Sequence, residues 1–380
     1  MSDDAETAAT ANPDSGLNAS YLAREIAAMI VQDGPMSVER YMGLCLAHPV
    51  HGYYMTRDPL GADGDFVTSP EISQMFGELL GLWAAETWRL LGAQQPAHLA
   101  ELGPGRGTLM ADALRAARAA PDFYRDLGVT MVETSPPLQA RQQRMLAGAE
   151  RPIEWVDAIE RIAPGAAIIL ANEFFDALPV RHYIKTAEGW RERQVGLVAD
   201  KLAFGAAEAV EPYLNVEAAD GAILEVGAVG QRIMTALAAR IVQQGGALLV
   251  VDYGHARTAF GETLQAMRDH TFVDPLECPG EADLTTHIDF AGLARAARAA
   301  GARAHGPVTQ GAFLRQIGIV QRAQALSAKA NREQAAEIER ALARLTAEDA
   351  KTDMGRLFKV MAITRASVEA LPGFIEGIPA

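Results

Sequence analysis

Residues 99–109, Leu-Ala-Glu-Leu-Gly-Pro-Gly-Arg-Gly-Thr-Leu, carry one carboxylate, Glu101, into three alternating glycines, Gly103, Gly105 and Gly107, and then Thr108. The apolar run before the glycines reads as a strand and the Ala/Leu-rich run after them as a helix, so the glycines form the turn between the two. Glycine tolerates φ > 0 and, lacking Cβ, lets a ligand lie directly on the backbone. The helix start adds free N–H groups and the positive end of a dipole. In the dinucleotide fingerprint G-x-G-x-x-G a third glycine would fall at position 108, where Thr108 stands. That departure points away from a nicotinamide dinucleotide.

The Glu-x-Gly-x-Gly-x-Gly turn resembles instead the pattern of class I methyltransferases, whose ligand, S-adenosyl-L-methionine, offers an amino acid, a sulfonium and a ribose. Ligands of open α/β sheets bind beyond the carboxyl ends of the strands. Four acids fall at such ends: Glu101 near the first predicted strand, Glu133 on the second, Asp157 after the third and Glu173 after the fourth. A carboxylate ending the second strand can accept both ribose hydroxyls in charge-assisted hydrogen bonds, which makes Glu133 the ribose candidate. Asp157 is placed either to reach the adenine amino group or to cap a helix beginning near Ala158. Glu101 meets either the methionine amine or the turn's own N–H groups.

A second constellation is Asn172-Glu173-Phe174-Phe175-Asp176-Ala177-Leu178-Pro179. Methyl transfer from a sulfonium asks mainly for in-line positioning and a water-poor site. A guanidinium stays protonated at neutral pH, so a carboxylate pair, Glu173 and Asp176, could grip it in a fork, with Phe174 and Phe175 as apolar walls or a cation–π face. The same residues also fit a helix N-terminus capped by Asn172, with its acids opposing the dipole. Upstream lies Gly64-Asp-Phe-Val-Thr-Ser-Pro-Glu-Ile-Ser-Gln-Met-Phe-Gly-Glu. There Ser69 can cap a helix with Pro70 at its first position. That reading leaves Asp65, Gln74 and Glu78 unexplained, and a lid across the cofactor would use them, with Thr68, Ser69 and Gln74 as candidate cofactor contacts.

The elements needed to position these groups follow from hydrophobic period and breakers. Strands are expected at 97–102, 128–133, 153–156, 166–171, 246–252 and 357–364. Helices are expected at 107–119, 136–147, 222–244, 289–300 and 319–348, with an N-terminal helical segment ending in a helix from Glu71 to Leu91. Alternating strands and helices give an α/β fold with a doubly wound, mostly parallel sheet. Residues 1–17 read as a disordered lead-in, 18–92 as a helical and lid segment, 93–180 and 221–365 as the core, 181–220 as an inserted β-hairpin, and 255–350 as a loop and helical region on the substrate side.

The chain's 380 residues, 49% hydrophobic and 22% charged, supply a large core, and the net charge of −14 without a basic stripe disfavours a nucleic-acid partner. Cys45 and Cys278 are too few for a disulfide framework. The N-terminal residues lack the order of a secretory signal or a mitochondrial presequence, and no run is long and apolar enough to span a membrane. The expectation is a cytoplasmic, bacterial protein, with homo-oligomers possible and no metal site.

With these residues in view the chain resembles, from about residue 22 to 365, the MidA family of class I methyltransferases, a group of bacterial proteins and mitochondrial complex I assembly factors. The motifs are His51-Gly-Tyr-Tyr, the Gly64–Glu78 segment, Glu101-Leu-Gly-Pro-Gly-Arg-Gly-Thr-Leu, Asn172-Glu-Phe-Phe-Asp-Ala-Leu-Pro-Val and Val251-Asp-Tyr-Gly-His. The resemblance implies S-adenosyl-L-methionine as cofactor and symmetric dimethylation of an arginine on a subunit of NADH:quinone oxidoreductase. Two other functions share these features: a small-molecule or RNA methyltransferase, against which the acidic charge argues for RNA, and a non-catalytic assembly chaperone. Intact Gly103, Gly105, Glu133 and Glu173 argue against a decayed site.

Overall fold

The structure is a computed structural model, and it describes residues 20–56, 68–350 and 353–374. The expected lead-in and Asp65 lie outside the described residues. Seven strands form the main path of the central sheet, with the two-residue strand Ile288–Asp289 added beside the end of β5: β1 (His98–Leu102), β2 (Gly128–Val132), β3 (Ile153–Val156), β4 (Ala167–Asn172), β5 (Gly246–His255), β6 (Ala302–Thr309) and β7 (Phe358–Arg365). Their spatial order is β6-β7-β5-β4-β1-β2-β3, with β7 antiparallel to both of its neighbours and β3, β2, β1, β4 and β5 mutually parallel. The strand order reverses between β1 and β4, and a crevice opens there at the carboxyl ends.

Strands covered on both faces need apolar residues on both, and β4 and β5 are buried almost throughout. One face carries the helices Gln74–Leu90, Thr108–Ala117, Gln310–Gln316 and Ile319–Ser327, packed around residues such as Leu99, Ile168, Leu249 and Phe313. The other carries Ala228–Gln244 and Phe290–Ala299 over Ala100, Ile169, Leu248 and Val250. Gly77 and Gly81 let the first pair approach closely. A Cβ on Gly77 would stand 2.7 Å from Asp112 Cβ, and one on Gly81 would stand 2.4 Å from the Ala113 carbonyl oxygen.

Several expectations are corrected. The single helix from Glu71 is two, Ser69–Ile72 and Gln74–Leu90, because Ser73 is extended (φ −163°, ψ 138°) and its side chain accepts the N–H of Met75. Thr68, and not Ser69, occupies the cap position of the first. The expected hairpin at 181–220 is larger: Arg181–Thr186, Gly189–Val198, Lys201–Val210 and Ile223–Val226, joined by Met36–Ser37, form an antiparallel sheet. The start of the expected helix 222–244 therefore belongs to a strand, and the helix begins after Gly227. The polar helix 319–348 breaks near Asn331, whose side chain forms a capping box with Gln334. Strand β6 was not expected at all.

The N-terminal helices Tyr21–Asp33 and Val38–Ala47 pack with the antiparallel sheet around Ile26, Tyr41 and Val195. Ala47, Tyr54 and Met55 thereby reach the rim of the crevice between β1 and β4. No helix among the described residues is long and apolar enough to cross a membrane.

Candidate active site

A cavity of about 270 Å³ occupies that crevice. Its wall includes Glu101, Gly103, Gly105, Thr108, Glu133, Asn172, Glu173 and Thr68. These come from the ends of β1, β2 and β4 and from the start of the helix Ser69–Ile72. Gly103, Gly105 and Gly107 have φ of 59°, 53° and 84°, all in the left-handed region. The Gly103 N–H donates to the Val132 carbonyl over 3.0 Å, and a Cβ on Gly103 would stand 3.0 Å from Phe174 Cδ2. The turn is closed from above by an aromatic ring, with no room for a side chain.

Glu101 is 3% exposed. One of its oxygens is held by the Met110 N–H, and Oε2 has no hydrogen-bond partner among the described residues. Burial, and then the neighbouring Glu133, push its carboxyl well above the usual carboxylate range. Asn172 Oδ1 is likewise buried and unpartnered. A buried, unpaired acceptor costs free energy until a donor arrives, so both atoms mark this wall as one built around a ligand.

Glu133 Oε1 accepts the Ser135 N–H (2.8 Å) and Oε2 accepts Gln142 Nε2 (3.0 Å), leaving lone pairs for two further donors. Burial is the larger influence on Glu133 and raises its carboxyl, with the bonds from Ser135 and Gln142 working in the other direction. Thr108 Oγ1 donates to Glu71 Oε1 (2.5 Å), and Glu71 also faces Arg106 (3.8 Å), so the helix Ser69–Ile72 is tied to the glycine turn.

Glu173 follows β4 with φ of 49°, a conformation that costs a non-glycine residue about 1–3 kcal/mol and is tolerated where surroundings enforce it. The enforcement is visible. Asp252 Oδ2, on β5, accepts the N–H groups of Phe175 (3.1 Å) and Asp176 (3.3 Å), and the Glu173 N–H donates to the Val251 carbonyl (2.9 Å). Glu173 Oε1 receives the Ser69 N–H and Asn172 Nδ2, each over 3.1 Å. Burial first, and Asp176 second, push the Glu173 carboxyl up to about 8. Asp176 is raised to about 6 by burial, and Asp252 well above its usual range by burial and by Asp176 and Glu173.

Not every expected residue meets the cavity. Asp176 turns away from the wall, its Oδ2 accepting the Tyr253 hydroxyl at 2.5 Å, so it does not join Glu173 in a fork. Asn172 donates to Glu173 and is no helix cap. Asp157 is exposed, pairs with Arg161 (3.0 Å) and lines no part of the cavity, and the cap position of the short turn Ile159–Arg161 falls to Ala158, which offers no side-chain acceptor. Gln74 is exposed at the start of its helix and also off the wall. Ser69 contributes its backbone N–H, while its buried side chain meets Gln310 (3.4 Å). Glu78 sits in a buried fork between Arg115 (3.0 Å) and Arg322 (2.7 Å) away from the cavity. Among the described residues no cluster of His, Cys, Asp and Glu is suited to hold a metal.

Residues 79–308 match the model of a family of S-adenosyl-L-methionine-dependent methyltransferases. The chain belongs to that family. It is similar to the mitochondrial protein arginine methyltransferase NDUFAF7 of Danio rerio, with 39% identity over 82% of this chain and 80% of the relative. Against the protein of that name in Homo sapiens the identity is 38%, over 81% and 76%. A Burkholderia thailandensis protein whose crystal structure holds S-adenosyl-homocysteine superposes with a TM-score of 0.81, at 27% identity and 98% coverage of both chains. The protein is an S-adenosyl-L-methionine-dependent methyltransferase, and its cavity suits that cofactor: the unpaired Glu101 oxygen suits an ammonium, Glu133 a ribose diol, and the side-chain-free turn a close approach of the ligand.

Three residues of the site carried too little sequence signal. Asp252 and Tyr253 lay within the Val251-Asp-Tyr-Gly-His motif without an assigned task. Gln142 lies inside a polar helix, Pro136–Met145, in which Leu138 is the other buried residue, and nothing in its spacing marks it.

Proposed function

We propose that the protein methylates an arginine side chain of a protein substrate, that the product is symmetric dimethylarginine, and that the substrate is a subunit of NADH:quinone oxidoreductase whose assembly the modification supports. The observation that carries this reading is Glu173, a half-buried carboxylate on the cofactor cavity with the buried Asp176 and Asp252 behind it. Among the described residues, no Lys or Arg is among the largest influences on these three acids. Such a wall is destabilised when empty of positive charge and relaxed by an arriving cation. A guanidinium brings a permanent charge and a planar set of donors. The names of the relatives support the same chemistry.

When bound, the cofactor would supply an electrophilic methyl group, its sulfonium sulfur keeping the electron pair of the broken S–C bond as a neutral thioether. Glu173 orients the guanidinium so that one Nη faces the methyl, and it takes the proton that the nitrogen sheds as the N–C bond forms. Phe174, over the glycine turn, keeps water from the reacting atoms.

The test is mass spectrometry of the subunits of NADH:quinone oxidoreductase from cells with and without the gene, followed by chromatography of the hydrolysed protein. A two-methyl shift that disappears with the gene and elutes as symmetric dimethylarginine is expected. Identical subunit masses in the two strains contradict the substrate assignment, and methylation only of low-molecular-mass compounds contradicts the protein-substrate reading.

A further inference from the structure

We infer that Gln142 is the positioning residue of the cofactor site, setting the carboxylate of Glu133 for the ribose diol and bracing the glycine turn with the same amide. Its side chain is fully buried. Nε2 spends one hydrogen on the Gly105 carbonyl (2.9 Å) and the other on Glu133 Oε2 (3.0 Å), while Oε1 accepts the indole N–H of Trp155 (3.0 Å). All three partners fix the amide in one orientation: flipped, it would set its oxygen against two acceptors and its NH₂ against a donor. The stem fills the space beside Gly107, where a Cβ would lie 3.5 Å from Gln142 Cα and Cγ.

The consequence is geometric. A carboxylate can rotate, and a freely rotating one presents two hydroxyl acceptors only part of the time. With Ser135 N–H on Oε1 and Gln142 on Oε2, the plane of Glu133 is set before the ligand arrives, and the remaining lone pairs point in fixed directions. Gly105 belongs to the turn after β1 and Glu133 follows the neighbouring β2, so one amide ties together the turn and the carboxylate that must hold the same molecule. Trp155, on β3, orients the amide and makes its indole a reporter of the site.

Other side chains fail for different reasons. Glutamate would set a second carboxylate against Glu133 and the Gly105 carbonyl. Leucine keeps the volume but strands the Trp155 donor and two acceptors.

The experiment is a double-mutant-style cycle in calorimetry, with S-adenosyl-homocysteine and its 2′-deoxy analogue as the two ligands, on the full-length parent and on Gln142→Leu. In the parent, loss of the 2′-hydroxyl should weaken binding about 30-fold, the scale of a charge-assisted hydrogen bond left unmade. In Gln142→Leu, S-adenosyl-homocysteine should bind about 10- to 100-fold more weakly, and the penalty for the missing hydroxyl should fall to about 3-fold or less. A variant that weakens both ligands equally, leaving the penalty as in the parent, has lost only structure and overturns the inference, as does undiminished binding. Should Gln142→Leu fail to fold, Trp155→Phe, which keeps an aromatic ring on β3 and removes the orienting N–H, must show a smaller hydroxyl penalty than the parent. An unchanged penalty in Trp155→Phe overturns the inference in the same way.

Discussion

The backbone N–H of Ser69 donates to Glu173 Oε1 over 3.1 Å, joining residues 104 positions apart. The contact latches the N-terminal segment, just past the span 57–67, onto the acid motif at the end of β4. Asn172 Nδ2 gives the same oxygen a second donor. Both bonds favour the charged carboxylate, yet burial and the adjacent Asp176 outweigh them and leave Glu173 titrating at about 8.

A stability signature follows from that upward displacement. Between its ordinary value of 4.5 and about 8 the folded protein holds a proton on Glu173 that the unfolded chain has released. Stability attributable to this group is therefore greatest at low pH and is lost as pH rises through that window, with a slope approaching about 1.4 kcal/mol per pH unit. Denaturant unfolding of the cofactor-free parent and of Glu173→Gln at pH 5, 6.5 and 8 should show the parent losing ground to the variant at each step. A constant difference would place the ionisation elsewhere.

Asp176 acts on Glu173 through charge and not through a shared substrate contact. Replacing Asp176 by Asn removes the second-largest influence raising Glu173, so Glu173 should ionise at lower pH. Because the proposed grip on a guanidinium needs the ionised form, kcat/KM rises with pH through this pKa, and in Asp176→Asn the rise should move to lower pH. A profile rising at the parent's pH speaks against the coupling.

The glycine turn and the ribose carboxylate are predicted to govern cofactor affinity separately from chemistry. Gly103→Val forces a branched residue to φ of 59° against the Phe174 ring and should abolish calorimetric binding of S-adenosyl-homocysteine while circular dichroism remains that of the parent. Glu133→Ala should weaken binding by about 1–3 kcal/mol. A loss below about 0.5 kcal/mol would show that the ribose lies at another strand end.

Glu78 should prove a matter of stability alone. Its carboxylate, 5% exposed, ties the helix Gln74–Leu90 to Arg115 on Thr108–Ala117 and to Arg322 on Ile319–Ser327. Glu78→Gln leaves Arg322 without its counter-charge while Arg115 keeps Asp112 (2.7 Å), and since both guanidinium groups are partly solvated the cost should be about 1–3 kcal/mol. Thermal unfolding should register it, with cofactor affinity at a temperature well below the transition unchanged. A tenfold change in affinity without loss of stability would return Glu78 to the cofactor site.

Much of the central sheet is legible in the sequence because buried parallel strands such as Ala167–Asn172 must be apolar on both faces. Strand β6 is not, since it lies at the sheet edge, alternates Ala with Arg303 and His305, and contains Gly306-Pro307, a breaker anywhere but an edge or bulge. The site divides in the same way. Glu101, Gly103, Glu133 and Glu173 follow from the rule that ligands meet strand ends, whereas Asp157 satisfies that rule and still points to solvent beside Arg161. Gln142 acquires its task from partners 37, 9 and 13 residues away, brought together only by the fold.

The central claim, that Glu173 serves methyl transfer to arginine and not cofactor binding, is tested most directly by returning Glu173→Gln to cells lacking the gene. Cofactor affinity of the purified variant should stay within a few-fold of the parent, while symmetric dimethylarginine on the subunits of NADH:quinone oxidoreductase falls by about 100-fold or more, as expected on removing a preorganised charge. Dimethylarginine restored to the parental level by Glu173→Gln would contradict the account.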